Sequence, residues 1–443
     1  MSNYSKYPSY KDSGVEWLGE IPEGWIATKV KYKAPYQVGW TPPTKHSENF
    51  DGENKWVTIG DLKGKFIATT KNCISDKAVE EASMDLTPKG SLLFSFKLSV
   101  GTVAFAGEDL YTNEAIASFL KNDRSDIAYL YYATPFFIIQ NASENIYGAK
   151  ILNQELISNA TLALPPLQEQ KAIAAYLDRA TQKIDSLIAK QEQLIALLKE
   201  KRQALISHAV TKGLDPDAKM KESGVEWLGE IPEGWEVKKF KYLFEIRKRI
   251  SGKLDFDVLS ITQKGIKVKD IESGDGQLSS DYSKYQHVYK GDYAMNHMDL
   301  LTGFVDLSKF DGVTSPDYRV FSLIEKNAND EYYLYLLQMG YINKIFYPLG
   351  QGSSQFGRWR LPTDAFKEFV APFPPKEEQE RIAKYIKDSL SKFDALTIKA
   401  TQAITLLKEK RTALISAVVT GKVKVNGEAR EGALGQDVGG EVT

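Results

Sequence analysis

The chain has 443 residues, 42% hydrophobic and 26% charged, enough for two or more domains with buried cores, which excludes a polymer disordered throughout. A single cysteine, Cys73, excludes an internal disulfide framework, and the four histidines (His46, His208, His287, His297) keep no metal-ligand spacing, so no metal site is expected. The net charge of −1 excludes a uniformly basic nucleic-acid coat but leaves local basic faces open; with no apolar signal core in MSNYSKYPSY and no apolar run of about 18 residues, a soluble, cytoplasmic protein is expected.

The first element is the stretch SGVEWLGEIPEGW at Ser13–Trp25, which returns letter for letter at Ser223–Trp235. Beyond it the copies still share Lys29/Lys239, Lys31/Lys241 and Tyr32/Tyr242, so the chain is an internal duplication. Pro22 and Gly24 suit a tight turn that folds Trp17 and Trp25 back against one surface. Two readings stand. The tryptophans pack a core, or the constant stretch is a surface that meets the same partner twice. On the second reading Trp17, Trp25, Trp227 and Trp235 are partner-binding residues, Trp being favoured at interface hot spots.

The segment that follows diverges between copies. NKWVTIGDL, GSLLFSF and GTVAFAG are short β-branched and aromatic runs bounded by Gly and Asn, and DIAYLYYATPFFIIQN is helical, which predicts an α/β domain. Polar residues beside glycines allow close approach of a ligand, nucleic acid included, which singles out Ser95 and Lys97 before Gly101, and Lys150 and Asn153 after Gly148. LPPLQEQKAIAAYLDRA then opens a long helix. Pro165 and Pro166 stop what precedes, Glu169 suits the first turn, and no Gly or Pro interrupts Gln168 to Thr211. Its seam is Ile173, Leu177, Ala180, Ile184, Leu187, Gln191, Leu194, Leu198, Lys201 and Leu205, a heptad pattern. Either the helix lies on a globular core, or it pairs with its repeat, antiparallel if the halves share a pseudo-two-fold axis. TKGLDPDAKMKE reads as a linker.

The second half repeats the order. DFDVLSITQ, GDYAMNH and GFVDLS are strand-like, and DEYYLYLLQMGYINKIF is helical. IRKRISGK offers Arg247, Lys248 and Arg249 for phosphates. Asn296 and His297 occupy the loop matching Ser95–Lys97, and GQGSSQFGRWR supplies Ser353, Ser354, Gln355, Arg358 and Arg360. For each such residue a solvated surface remains the alternative. FPPKEEQERIAKYIKDS opens the second long helix, with the seam Ile382, Ile386, Ser389, Phe393, Leu396, Ala400, Ala403, Leu407, Lys410 and Leu414, and LLKEKRTALIS repeats LLKEKRQALIS. The tail, with glycines and acids and no aromatics, is expected to be disordered beyond about Gly421.

These readings predict an α+β chain in five parts: a first domain over 1–164, a long helix over 165–211, a second domain over 212–372, a second long helix over 373–420 and a tail over 421–443. Catalytic motifs are missing. There is no phosphate-binding Gly-x-x-x-x-Gly-Lys-Ser/Thr loop and no Asn-Pro-Pro-aromatic motif of an amino-methyltransferase. Asp317 and Glu325 do not make a nuclease pair, because Lys326 follows Glu325 directly; Ser315, Pro316 and Asp317 suit a turn instead.

With its EIPEGW openings, KGSLLFS…VGTVAFAG and GDYAMNHMDLLTGFVDLSKFDGVTSPDYRVF inside the domains, and LPPLQEQ…LLKEKR exits, the chain resembles the specificity subunit of type I restriction-modification systems over nearly all its length. The resemblance implies two target-recognition domains, each reading half of a bipartite double-stranded DNA site, and helices that set the gap between halves. It implies seats for two DNA-adenine methyltransferase subunits, joined by restriction/translocase subunits. No active site belongs to such a chain, and S-adenosylmethionine, ATP and Mg are used by its partners. The alternative is a coiled-coil adaptor that binds only protein.

Overall fold

The computed structural model describes residues 5–144, 148, 150–270, 282–352 and 359–425. The chain divides into two compact units, Met1–Lys190 with Ala403–Thr443, and Gln191–Gln402. Each holds one sheet-based domain, one copy of the repeated opening motif and a stretch of each of two long helices, Leu167–Lys212 and Lys376–Val419.

In the first unit a five-stranded sheet runs in the order Tyr36–Val38, Ile116–Phe119, Leu92–Ser95, Val103–Ala106, Phe66–Ile67. Its central strands are buried on both faces. Leu92 and Phe94 pack with Tyr129, Leu130 and Phe137 of the helix Ile127–Phe137, while Leu93 packs with Val57, Ile67 and Ile116 on the other side. Two covered faces explain why the run Leu92–Phe94 is continuously apolar instead of alternating. In the second unit a four-stranded antiparallel sheet runs in the order Phe244–Arg247, Arg319–Leu323, Tyr293–Met295, Val305–Leu307, and the helix Asp330–Ile342 packs against it.

The repeated sequence builds a frame around each domain. The opening motif makes a hairpin, Tyr10–Asp12 against Glu20–Pro22 and Met220–Glu222 against Glu230–Pro232, and the Trp25 and Trp235 amides close each turn on Pro22 and Pro232 at 2.9 Å. The next strand pairs with the segment that runs into the long helix, Ile26–Lys29 with Thr161–Leu164 and Glu236–Lys239 with Val370–Phe373. The shared lysines brace this joint: Lys31 reaches Asn159, and Lys239 and Lys241 both reach Glu368, holding its carboxyl down to about 2.

Each long helix starts and stops on a repeated bond. Gln170 donates to Pro165 O at 2.9 Å and accepts from the Asp126 amide at 2.7 Å; Gln379 donates to Pro374 O at 2.7 Å and accepts from the Asn329 amide at 2.8 Å. At the helix ends, where carbonyls lack intrahelical donors, the buried hydroxyl of Tyr129 donates to Val419 O and that of Tyr332 to Val210 O. Asp185 pairs with Arg411 at 3.0 Å in the first unit, and Arg202 with Asp394 at 2.5 Å in the second. Within each unit an early stretch of one helix thus lies beside a late stretch of the other, and the pairing is antiparallel.

The heptad seam holds only in part. Ile173, Leu177, Ala180, Ile184 and Leu198 are buried, but Leu187 and Leu194 are 47% and 39% exposed, with Ile188 buried in place of Leu187. In the second helix burial passes from Ile386 to Leu390, not Ser389, and Leu396 is exposed. A straight helix turns every 3.6 or so residues, against 3.5 for a heptad, so the buried line slips by one position. The tail also departs from expectation at its start: Lys424 N–H donates to Ser5 O at 2.9 Å, and Val423 and Val425 pack on the first core, because the valines alternating with lysines give the segment an apolar side. Residues 426–443 lie outside the described ones.

Candidate nucleic-acid interface

The first domain presents a strained loop at Lys97–Gly101. Leu98, Ser99 and Gly101 all take positive φ (35°, 41° and 89°), a conformation that costs energy for the two non-glycine residues and clusters at functional sites. Ser95 holds the loop from beneath. It is fully buried and its hydroxyl donates to the carbonyls of Lys97 and Leu98 at 3.0 and 2.9 Å, so it shapes the loop from inside. Lys97 is exposed, 3.9 Å from Glu114, and Leu98 beside it is 81% exposed. The sequence reading passed over Leu98, whose only signal is an apolar residue in a loop.

A Cβ at Gly101 would stand 2.4 Å from the Ile139 side chain, so the loop lies against the turn Ile138–Asn141. That turn leads to the hairpin of Ser143–Glu144 and Lys150–Ile151, and Asn141 bonds Leu156 O. Lys97 and Lys150 are therefore carried by segments that meet at one turn, both exposed. Asn153 differs from expectation: its side chain accepts the Leu156 amide at 2.7 Å and caps the helix Gln154–Asn159.

In the second domain Arg247 and Arg249 are engaged internally, contrary to the reading of both as phosphate contacts. Arg249 pairs with Asp292 at 2.5 Å and lies over the Tyr289 ring; Asp292 accepts from Ser322, Ser322 accepts from Arg247, and Arg247 pairs with Glu245 at 2.5 Å. Lys248, between them, is exposed and has no ion pair among the described residues. Arg360 is exposed, its backbone bridged to Gln351. Ser353, Ser354, Gln355 and Arg358 lie outside the described residues. The turn expected at Ser315–Asp317 is present, the Tyr318 amide donating to Ser315 O, and Glu325 is paired with Lys238 at 2.9 Å.

Asn296 and His297 turn inward. The Asn296 Oδ1, the His297 Nδ1 and one terminal nitrogen of Arg319 are buried without a hydrogen-bond partner among the described residues. Burial, with the charges of Arg319 and Arg360, pushes His297 down to about 3, so it stays neutral; burial lowers Arg319 to about 10. The matched strand pairs Leu92–Phe119 and Tyr293–Phe321 put Asn296 where the first domain has Ser95, His297 where it has Phe96, and Arg319 where it has Ala117. One backbone corner thus carries apolar and satisfied groups in the first domain and three polar, unsatisfied ones in the second.

The tryptophans divide. Trp25 and Trp235 are each 1% exposed and pack the frame, so neither lies open on the surface. Trp227 is half-buried, stacked on Phe369 at 5.3 Å, and donates to Val370 O. Trp17, 43% exposed over Phe136 and Phe137, is the one of the four that presents an open face.

Among the described residues no helix is long and apolar enough to cross a membrane, and no cluster of three or more His, Cys, Asp or Glu side chains is placed to hold a metal ion. A family profile described as "Type I restriction modification DNA specificity domain" matches residues 23–196 and again 232–406. The MjaVIII specificity subunit of Methanocaldococcus jannaschii is 25% identical over 429 residues, covering 91% of this chain and 94% of that one. The MjaIX specificity subunit of the same organism is 28% identical over 238 residues, 52% of this chain and 54% of its own length. The EcoKI specificity subunit of Escherichia coli is 22% identical, covering 91% and 90%. Among solved structures, a chain from a study of assembly and conformational transition of the type I R-M system aligns with a TM-score of 0.65 at 14% identity, covering 90% of this chain and 98% of that one. The HsdS subunit from Thermoanaerobacter tengcongensis aligns at 0.52 and 14%, covering 91% and 98%.

Proposed function

Because the chain belongs to the type I restriction-modification DNA specificity family, we propose that it is the non-catalytic subunit that reads a bipartite, asymmetric double-stranded DNA site, one half per domain. It directs adenine methylation by two methyltransferase subunits and, with restriction/translocase subunits, cleavage. On this reading S-adenosylmethionine, ATP and Mg are bound by the partners.

One observation carries the reading: two domains are held in the same frame of hairpin, strand pair and long helix, yet differ in loop chemistry, Ser95, Phe96 and Ala117 against Asn296, His297 and Arg319. A constant frame with variable loops suits two different half-sites presented to identical partners. Exposed Lys97, Lys150, Lys248 and Arg360 are the candidates for DNA contact, supported by their position on loops or strand ends.

The test is to co-express the chain with a DNA-adenine methyltransferase subunit, map methylated adenines across the genome and measure duplex binding against salt. Methylation at one split sequence, with affinity falling steeply as salt rises, is expected. A chain that assembles with its partner but binds no duplex would be an adaptor for protein alone.

A further inference from the structure

The two opening motifs are identical in letters and different in surroundings. In the first unit Tyr7 lies edge-on to Trp25, ring centroids 5.8 Å apart at 76°, and its hydroxyl donates to Glu169 Oε1 at 2.6 Å in the first turn of the long helix. The second unit keeps the tryptophan and the carboxylate as Trp235 and Glu378, and its hairpin keeps the register, Met220 opposite Pro232 as Tyr10 is opposite Pro22. Counted back three residues from these matched strands, Asp217 takes the sequence position of Tyr7 and brings no ring. A cavity of about 440 Å³ lies against Trp235 and Glu378, the counterparts of the groups that hold Tyr7, and is lined also by Leu214, Asp215, Ala218, Pro232 and Arg381.

The cavity carries the groups that hold Tyr7 and one more. Trp235 Nε1 donates to Glu378 Oε2 at 2.9 Å, which leaves Oε1 without a partner among the described residues. Arg381, one turn further along the helix, replaces Ala172 of the first copy; it is exposed and has no ion pair among the described residues. An apolar wall, an aromatic edge, a hydrogen-bond acceptor and a free cation together fit a tyrosine flanked by an acidic residue.

We propose that this corner is a socket for an aromatic side chain of a protein partner, which fills in the second unit the place Tyr7 fills in the first, with its hydroxyl on Glu378 and an acidic neighbour on Arg381. The inference rests on the chain's role as a seat for methyltransferase subunits and assigns the socket to one of them. The two seats are then unequal, one closed by the chain's own tyrosine and the other open.

Asp217→Tyr supplies the missing ring from within, and Arg381→Glu reverses the charge with the cavity left open. Each full-length variant is titrated with the methyltransferase subunit, and complexes are weighed by native mass spectrometry. Both are expected to weaken one of two binding steps by about tenfold or more, the loss typical of a blocked hot spot, with the other step unchanged; Asp217→Tyr should also raise the melting temperature of the free chain. Asp217→Tyr that melts higher yet binds both subunits as before would show a packing void and overturn the socket. Loss of self-association in place of methyltransferase binding would assign the socket to a second copy of this chain and equally overturn the proposal. A wild-type chain that binds no methyltransferase subunit would remove the functional reading, and the socket with it.

Discussion

His297 stands where the first domain has phenylalanine, and it is neutral because burial and two neighbouring arginines push its pKa from 6.5 to about 3. The unfolded chain takes up a proton near pH 6.5 that the folded chain refuses. The contribution of His297 to stability is therefore fully present above pH 6.5 and drains away as pH falls toward 3. His297→Phe, which restores the residue of the first domain, should flatten the fall in melting temperature between those limits; an unchanged slope would mean that His297 is as free to protonate as in water. Residues such as His297, Arg247 and Arg249 mark the limit of what could be read from letters. The charge was legible, but whether a carboxylate already holds it depends on Glu245, on the same face of the strand as Arg247, and on Asp292, which the fold brings to Arg249 from 43 residues away. Of the two readings of the opening motif, the burial of Trp25 and Trp235 favours packing, since a stretch is kept constant by a repeated joint as readily as by a repeated partner.

The strength of that joint lies in two glutamines. Gln170 and Gln379 are 2% and 0% exposed, and each ties the proline carbonyl before its long helix to the first turn of the domain's own helix. Replacing either by leucine strands a buried amide N–H and a carbonyl, each worth about 1–3 kcal/mol when left unpaired. Gln170→Leu and Gln379→Leu should each lower unfolding stability by about 2–4 kcal/mol in urea titrations; a loss below about 0.5 kcal/mol, the scale of a surface change, would mean that water replaces both bonds. At this scale much was legible: the proline starts, the uninterrupted long helices and the order of strands follow from punctuation and periodicity. The glutamines were not singled out, because a lone polar letter in LPPLQEQ carries no sign of burial. The seam drifted because a heptad template cannot tell a supercoil from a straight helix seven residues at a time.

For the whole molecule, the repeated frame predicts independence of its two domains. Exchanging roughly Val30–Leu162 for the corresponding segment of a relative should change one half of the methylated sequence and leave the other as it was; a change in both halves would mean that the domains read DNA jointly. The frame has a second property. The amide of Lys424 is bonded to the carbonyl of Ser5, so in the first unit the chain comes back to where it started. Order along the polypeptide is then separable from order in space, and a circular permutant is expected to be viable. A few residues joining Val425 to Ser5, with new ends opened between Asp215 and Pro216, would leave every strand pair named above intact. Such a permutant should melt within a few degrees of the parent, and a molten or aggregated product would show that the seam between the ends must form last. What the sequence writes far apart, at Ser5 and Lys424, is one joint of the first unit, and the order of letters is not what holds it together.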